Sequence, residues 1–160
     1  MSTSEYRPAK IFTLEQANAI LPLVRAITTD LVQLSREVVE RRQRLALLTA
    51  GRQTKERDLY SEELGQIQEE LEKDHARLQE FVEELQALGV EPKNGPEGLV
   101  DFPSLIDGRL VFLCWKLGEP EVLHWHDIDA GFAGRQSLAA GSVPGGGSTG
   151  GRPLRVDFEA

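Results

Sequence analysis

The chain has 160 residues and a formal net charge of −8, from 26 acidic and 18 basic residues. That length allows one domain, or one domain with a tail, and the acidic balance argues against a general phosphate-backbone binder, whose affinity comes from clustered Lys and Arg. The single cysteine, Cys114, excludes an internal disulfide and fits a reducing cytoplasm, while no apolar run reaches the length of a membrane span.

The lead Met1 to Lys10 is polar and lacks the apolar core of a signal peptide, so a soluble cytoplasmic protein is expected. Thr13 followed by Gln16 has the form of a capping box, with Phe12 just before it able to pack back on the first turn. From there Ala17, Ile20, Val24, Ile27, Leu31, Leu34, Val38, Leu45 and Leu48 recur at alternating steps of three and four, with Arg41 as the exception. That spacing predicts a long helix with one buried stripe. Pro22 falls inside it and predicts a bend, because its missing N–H cannot meet the carbonyl of Asn18. A polar segment from Thr49 to Leu59 serves as the hairpin bend.

A second arm repeats the pattern with Leu64, Ile67, Leu71, Leu78, Phe81, Leu85 and Leu88, and Asp74 is its exception. In an antiparallel hairpin, facing residues have a constant sum of residue numbers. Leu48 with Leu64, Leu45 with Ile67, Leu34 with Leu78, Leu31 with Phe81 and Ile27 with Leu85 share one sum. The same register puts Arg41 and Asp74 one layer apart and predicts that they pair. The acidic run Glu62 to Glu72 is the water-facing side of this arm. Gly89 after Leu88 predicts a left-handed C-cap. Val32, Val39 and Ala46 form a second apolar row on the first arm. The remaining chain is too short to cover it, so a homodimer through the helices is expected.

Glu91 to Gly98 reads as a linker. The composition then changes to Val, Leu, Phe and Trp in short runs. Leu99 to Phe102 is a strand ended by Pro103, Asp107-Gly108 is a turn, Arg109 to Leu117 a buried strand, and Glu121 to His126 its partner. The expected organisation is thus α+β, a long antiparallel helical hairpin of coiled-coil type over residues 11–90, followed by a small antiparallel sheet over 97–136. Residues 137–160, rich in Gly and Ser, form a flexible tail, in which Leu154 to Phe158 has weak strand character.

His124-Trp125-His126 is the sharpest chemical feature. Residues two apart on a strand share a face, so both imidazoles project together as half of a site for a divalent transition metal such as Zn or Fe. Asp127 and Glu119 are candidate further ligands nearby in sequence, as is Asp129. Asp101 can approach from the neighbouring strand, and His75 is more distant. Cys114 faces either the histidines or Trp125, depending on a hairpin register that the sequence leaves open; its apolar neighbours Leu113 and Trp115 also suit plain core packing. Two histidines so spaced also commonly bind carboxylates or backbone and hold no metal. No His-Glu-x-x-His helix or Cys-x-x-Cys pair is present. Arg135, in the glycine-spaced stretch Gly131 to Gln136, suits a structural clamp on an acidic residue.

Several of these stretches resemble one prokaryotic family, domain-of-unknown-function family 2203. They are Phe12-Thr13-Leu14-Glu15-Gln16-Ala17-Asn18 through Leu21-Pro22, Gly98-Leu99-Val100-Asp101-Phe102-Pro103, Cys114-Trp115-Lys116-Leu117-Gly118-Glu119 and His124-Trp125-His126. The steps Gly131-Phe132 and Gly134-Arg135 fit it too. The resemblance covers most of Phe12 to Gln136. It implies a bacterial or archaeal intracellular protein whose signature includes the histidine block, and it supplies no catalytic residues. The function expected is a non-enzymatic interaction or scaffold protein with a metal or small-ligand site at His124 and His126. The alternative is a metal-dependent enzyme using the same histidines with Asp101, Glu119 or Asp127.

Overall fold

The structure is a computed structural model that describes residues 6–50, 57–138 and 156–157, with backbone alone for 57–60 and 156–157. The centre of the hairpin bend and most of the expected tail lie outside the described residues.

Helix α1 runs from Leu14 to Thr49 and α2 from Arg57 to Ala87. The start of α1 is fixed by its capping box. Gln16 N–H donates to Thr13 Oγ1 and Thr13 N–H to Gln16 Oε1, both at 3.0 Å, which satisfies two of the helix's orphan donors. The helix continues through the exposed Pro22. α2 stops at Gly89, whose φ of 91° is open to a residue without Cβ. Val90 N–H then reaches back to Leu85 O at 3.0 Å and Gly89 N–H to Gln86 O at 2.9 Å, the two bonds of a Schellman cap.

The helices pack antiparallel in the expected register. Arg41 hydrogen-bonds the Asp74 carboxylate across the interface and lies 3.4 Å from Glu70 Oε1. Arg44 reaches Glu63 at 2.9 Å. The buried stripe of α1 is nonetheless rotated from the one its leucines and isoleucines predict. Leu21, Thr28 and Ser35 are buried, while Ile20, Ile27 and Leu34 are half-buried. The reason is that α1 packs in two directions, onto α2 on one side and onto the sheet on the other. Val32 is covered in this way. Val39 and Leu47 lie beyond the sheet's reach and remain 41% and 76% exposed.

The sheet strands are β1 (Glu91–Asn94), β2 (Leu99–Ile106), β3 (Arg109–Lys116), β4 (His124–Asp127), β5 (Gln136–Ser137) and β6 (Val156–Asp157). They form one antiparallel sheet in the order β1-β2-β3-β4-β5. β6 joins the end of β2 at Leu105 and Ile106, on the edge that β1 uses further up. The stretch expected as a linker therefore begins with an edge strand.

Pro103 does not end β2, as expected from sequence, but sits inside it. Its carbonyl accepts from Phe12 N–H at 2.7 Å. A residue's N and O share an edge of an antiparallel strand, so the missing N–H of Pro103 points away from β3 and costs that ladder nothing. Phe12 lies against this edge, with its ring 5.3 Å from that of Phe102 and its carbonyl accepting from Ser104 Oγ at 2.6 Å, and it shares the core cluster with Ala17 of the first helical turns.

One sheet face carries Val100, Phe102, Ile106, Val111, Leu113, Trp115 and Trp125, and these form the core with Val24, Leu31, Phe81 and Leu85 of the helices. The turn between β1 and β2 touches α1 closely. A Cβ on Gly98 would lie 2.7 Å from Leu117 Cβ and 3.0 Å from Val32 Cγ2, so any side chain there would clash with Leu117 and press on α1.

Candidate metal centre

The opposite sheet face holds the candidate ligands, and the turn chemistry puts them there. Asp107 and Gly108 both take positive φ, 52° and 80°, as a two-residue type I′ hairpin requires. That turn pairs Ile106 with Arg109, and counting back along the strands sets Asp101 opposite Cys114. The longer loop after β3 then places β4 so that Cys114 faces His124 and Phe112 faces His126. Asp101, Cys114, His124, Phe112 and His126 thereby share one face, which settles the register left open by the sequence.

Three of these side chains converge. One donor atom each from Asp101, Cys114 and His126 lies within 4.8 Å of the other two, and all three residues are buried. His126 Nε2 stands 3.1 and 3.2 Å from the two Asp101 carboxylate oxygens. Its Nδ1 lies 2.7 Å from the carbonyl of Asp127. A carbonyl only accepts, so Nδ1 carries a proton and Nε2 is the nitrogen turned to the cluster. Burial alone would push the imidazole down, but Asp101, Cys114 and the Asp127 carbonyl outweigh it and hold His126 up at about 10. Without a metal the cluster is a buried imidazolium–carboxylate pair beside a thiol.

The geometry bears on the chemistry available. A Cys–His–Asp nucleophile relay needs the thiol on one ring nitrogen and the carboxylate on the other. Here Nδ1 is committed to backbone and the carboxylate stands at Nε2. Soft thiolate, imidazole and carboxylate donors gathered around one point suit a transition metal better. A carbonyl holding Nδ1–H is the outer-sphere contact that orients a metal-bound histidine.

The other residues singled out in the sequence go elsewhere. Glu119 receives Arg135 as a fork, Nη1 to Oε2 at 2.6 Å and Nη2 to Oε1 at 2.7 Å, and Lys116 N–H at 2.9 Å. Arg135 is thus the clamp its sequence context suggests. His124 turns its Nδ1 to within 3.9 Å of Glu119 Oε2, and that buried nitrogen has no hydrogen-bond partner among the described residues. Burial and the nearby Arg135 keep its imidazole below its ordinary value, against the pull of Glu119. The Asp127 carboxylate lies 3.3 Å from Arg109, and only its carbonyl touches the cluster. Asp129 and His75 are exposed, the latter 2.7 Å from Arg42 on the helices. Cys114, legible as either core or ligand, is the member that the Asp-Gly turn could have assigned.

The Arg135–Glu119 fork yields a stability prediction. Burial alone would raise the Glu119 carboxyl, but Arg135 and the Lys116 N–H hold it below its usual 4.5. The stabilisation is therefore full above that value and fades as the pH falls through the lower folded value. Arg135→Leu is expected to cost about 1.5–3 kcal/mol at neutral pH. Urea titrations of variant and parent should converge in acid; a gap that persists there would mean lost packing instead.

A cavity of about 330 Å³ opens beside the cluster, lined by Asp101, Cys114 and His126 together with Lys93, Leu99, Phe112, Ile128 and Phe132 among others. The fold and site together define an α+β protein in which a helical hairpin backs an antiparallel sheet whose far face holds a buried Asp–Cys–His group. The chain belongs to the family of uncharacterized conserved proteins DUF2203, which it matches over residues 10–138. No curated protein and no solved structure matches it.

Proposed function

We propose that this chain is a metal-binding protein that holds one divalent transition ion, Zn or Fe, with Asp101, Cys114 and His126, and takes a small ligand at that ion. The observation that carries this reading is the convergence of three buried, chemically different donors beside a cavity. Three protein ligands leave a tetrahedral ion one free position. His124 is the cross-strand partner of Cys114 and faces Glu119 instead, and the Asp127 carbonyl serves the site as an outer contact through His126 Nδ1. A metal-dependent enzyme on the same residues is the second reading, favoured by that free position.

Protein purified without an affinity tag is expected to contain close to one equivalent of metal by elemental analysis. A cobalt-loaded sample should show a thiolate charge-transfer band that disappears in Cys114→Ser. Affinity should drop in Cys114→Ser and His126→Ala by more than the roughly 10–100-fold lost with an outer-sphere contact. Trace metal, unchanged in both variants, would overturn the reading.

No described helix is long and apolar enough to cross a membrane. A reduced Cys114 is what the site needs, and the cytoplasm maintains thiols in that state. The hairpin supports a second role as an association surface. The last buried residue of α1 is Val38, and beyond it Val39 and Leu47 are exposed, so two copies pairing through the helices would complete a four-helix bundle. Light scattering at micromolar concentration should give the mass of a dimer, and Leu47→Glu with Val39→Glu should shift it to the monomer. A monomeric parent protein would refute this.

A further inference from the structure

The geometry points to a small organic carboxylate with an apolar body as the occupant of the cavity beside Asp101, Cys114 and His126. Its carboxylate would sit on the free side of the metal under the charge of Lys93; the inference rests on the metal reading above. One ring links the two charged ends of the cavity. Phe112 lies 5.5 Å from the His126 imidazole, centre to centre, and the Lys93 ammonium stands 5.4 Å from the same ring centre. Lys93 has no carboxylate partner among the described residues, and its ammonium stands over that ring.

Charge balance gives this ammonium a purpose. A divalent ion held by one carboxylate, one thiolate and one imidazole is neutral overall, so it has no net pull on an anion beyond its own first contact. A cation at the cavity wall supplies the missing attraction, and because Lys93 is exposed this pull is strongest at low ionic strength. Asp129 also borders the cavity, and with Ile128 it borders the neighbouring groove of Arg109, Leu110 and Asp127 as well; it is exposed, at the rim between the two. Asn94 also lines the cavity, its Oδ1 accepting from Glu97 N–H at 2.9 Å, and the walls Leu99, Phe112, Ile128 and Phe132 are apolar. They suit a hydrocarbon or aromatic body, and the volume of about 330 Å³ is at the small end of the roughly 300–1,000 Å³ typical of ligand cavities. Gly131 adds room at the loop, since a Cβ built there meets nothing within 4 Å.

The test uses the full chain loaded with cobalt, with metal content measured first. Benzoate and benzamide have the same shape and differ in charge. Benzoate should perturb the visible cobalt spectrum saturably and bind at least about tenfold more tightly than benzamide, the scale of one charge-assisted contact. In Lys93→Met the cobalt content and benzamide affinity should be unchanged while the benzoate preference collapses. Equal binding of the two probes, or no spectral response from a fully loaded protein, would overturn the inference and leave the metal reading intact. A preference that survives in Lys93→Met would overturn the role of Lys93. Failure to hold cobalt at all would remove the metal reading and this inference with it.

Discussion

Trp115→Ala is expected to destabilise the protein by about 3–5 kcal/mol, the range for truncating a fully buried aromatic. The indole is completely buried in the core shared by sheet and helices, so its removal leaves a cavity there. A polar term adds to this. Trp115 Nε1 donates to the carbonyl of Glu119 at 3.0 Å, in the same turn that Arg135 and Lys116 N–H hold through the Glu119 side chain. Trp125 provides the control, because it is equally buried but its Nε1 has no hydrogen-bond partner among the described residues. Trp115→Phe should therefore cost more than Trp125→Phe by about 1 kcal/mol, the worth of one neutral hydrogen bond. Guanidinium titrations read at constant m-value would measure both. Equal costs would assign the whole effect of Trp115 to packing.

Much of this architecture was legible because local signals agreed with one another. Thr13 and Gln16 mark the start of α1, Gly89 marks the end of α2, and the two apolar seams agree on a single antiparallel register that the Arg41–Asp74 pair then satisfies. What pattern could not show was the second packing surface of α1. Thr28 and Ser35 are buried there as small polar residues under the sheet, and a hydrophobic period passes over them. The edge strand Glu91–Asn94 was hidden for a related reason. It pairs with β2 on one side only and can be polar, so it reads as a linker.

The site was half legible. His126 and Asp101 stand out by residue type, and the pairing of Asp101 with Cys114 is implicit in Asp107-Gly108, since a two-residue turn fixes every pair above it. The pairing of Cys114 with His124 is not implicit in anything local. It depends on the path of the loop from Leu117 to Leu123, which is held by tertiary contacts such as Val122 N–H to Asn18 Oδ1 at 2.7 Å and Arg25 Nη2 to Pro120 O at 3.1 Å. Both anchors come from α1, more than ninety positions away, and no window of sequence contains them.

Asp101→Ala in the metal-free protein is expected to cost about 3–5 kcal/mol at neutral pH, the penalty for leaving one member of a buried ion pair without its partner. The His126 and Asp101 side chains are only 3% and 4% exposed, so the imidazole left behind is largely desolvated. The sign of the pH dependence follows from the direction of the shift. His126 is held at about 10 in the folded chain against an ordinary 6.5, so the folded state keeps a proton that the unfolded state releases. The pair's contribution is therefore complete below pH 6.5 and is lost as the pH rises through about 10. Parent stability should fall across that window, and Asp101→Ala should flatten the fall. Replacing both partners, Asp101→Leu with His126→Phe, removes both desolvation costs and should recover most of the stability. Zinc separates this account from the metal reading. Added to the parent, it should raise the melting temperature through preferential binding to the folded state, and it should leave the double variant unmoved. A double variant that zinc still stabilises would mean that the ion is bound by residues other than the buried cluster.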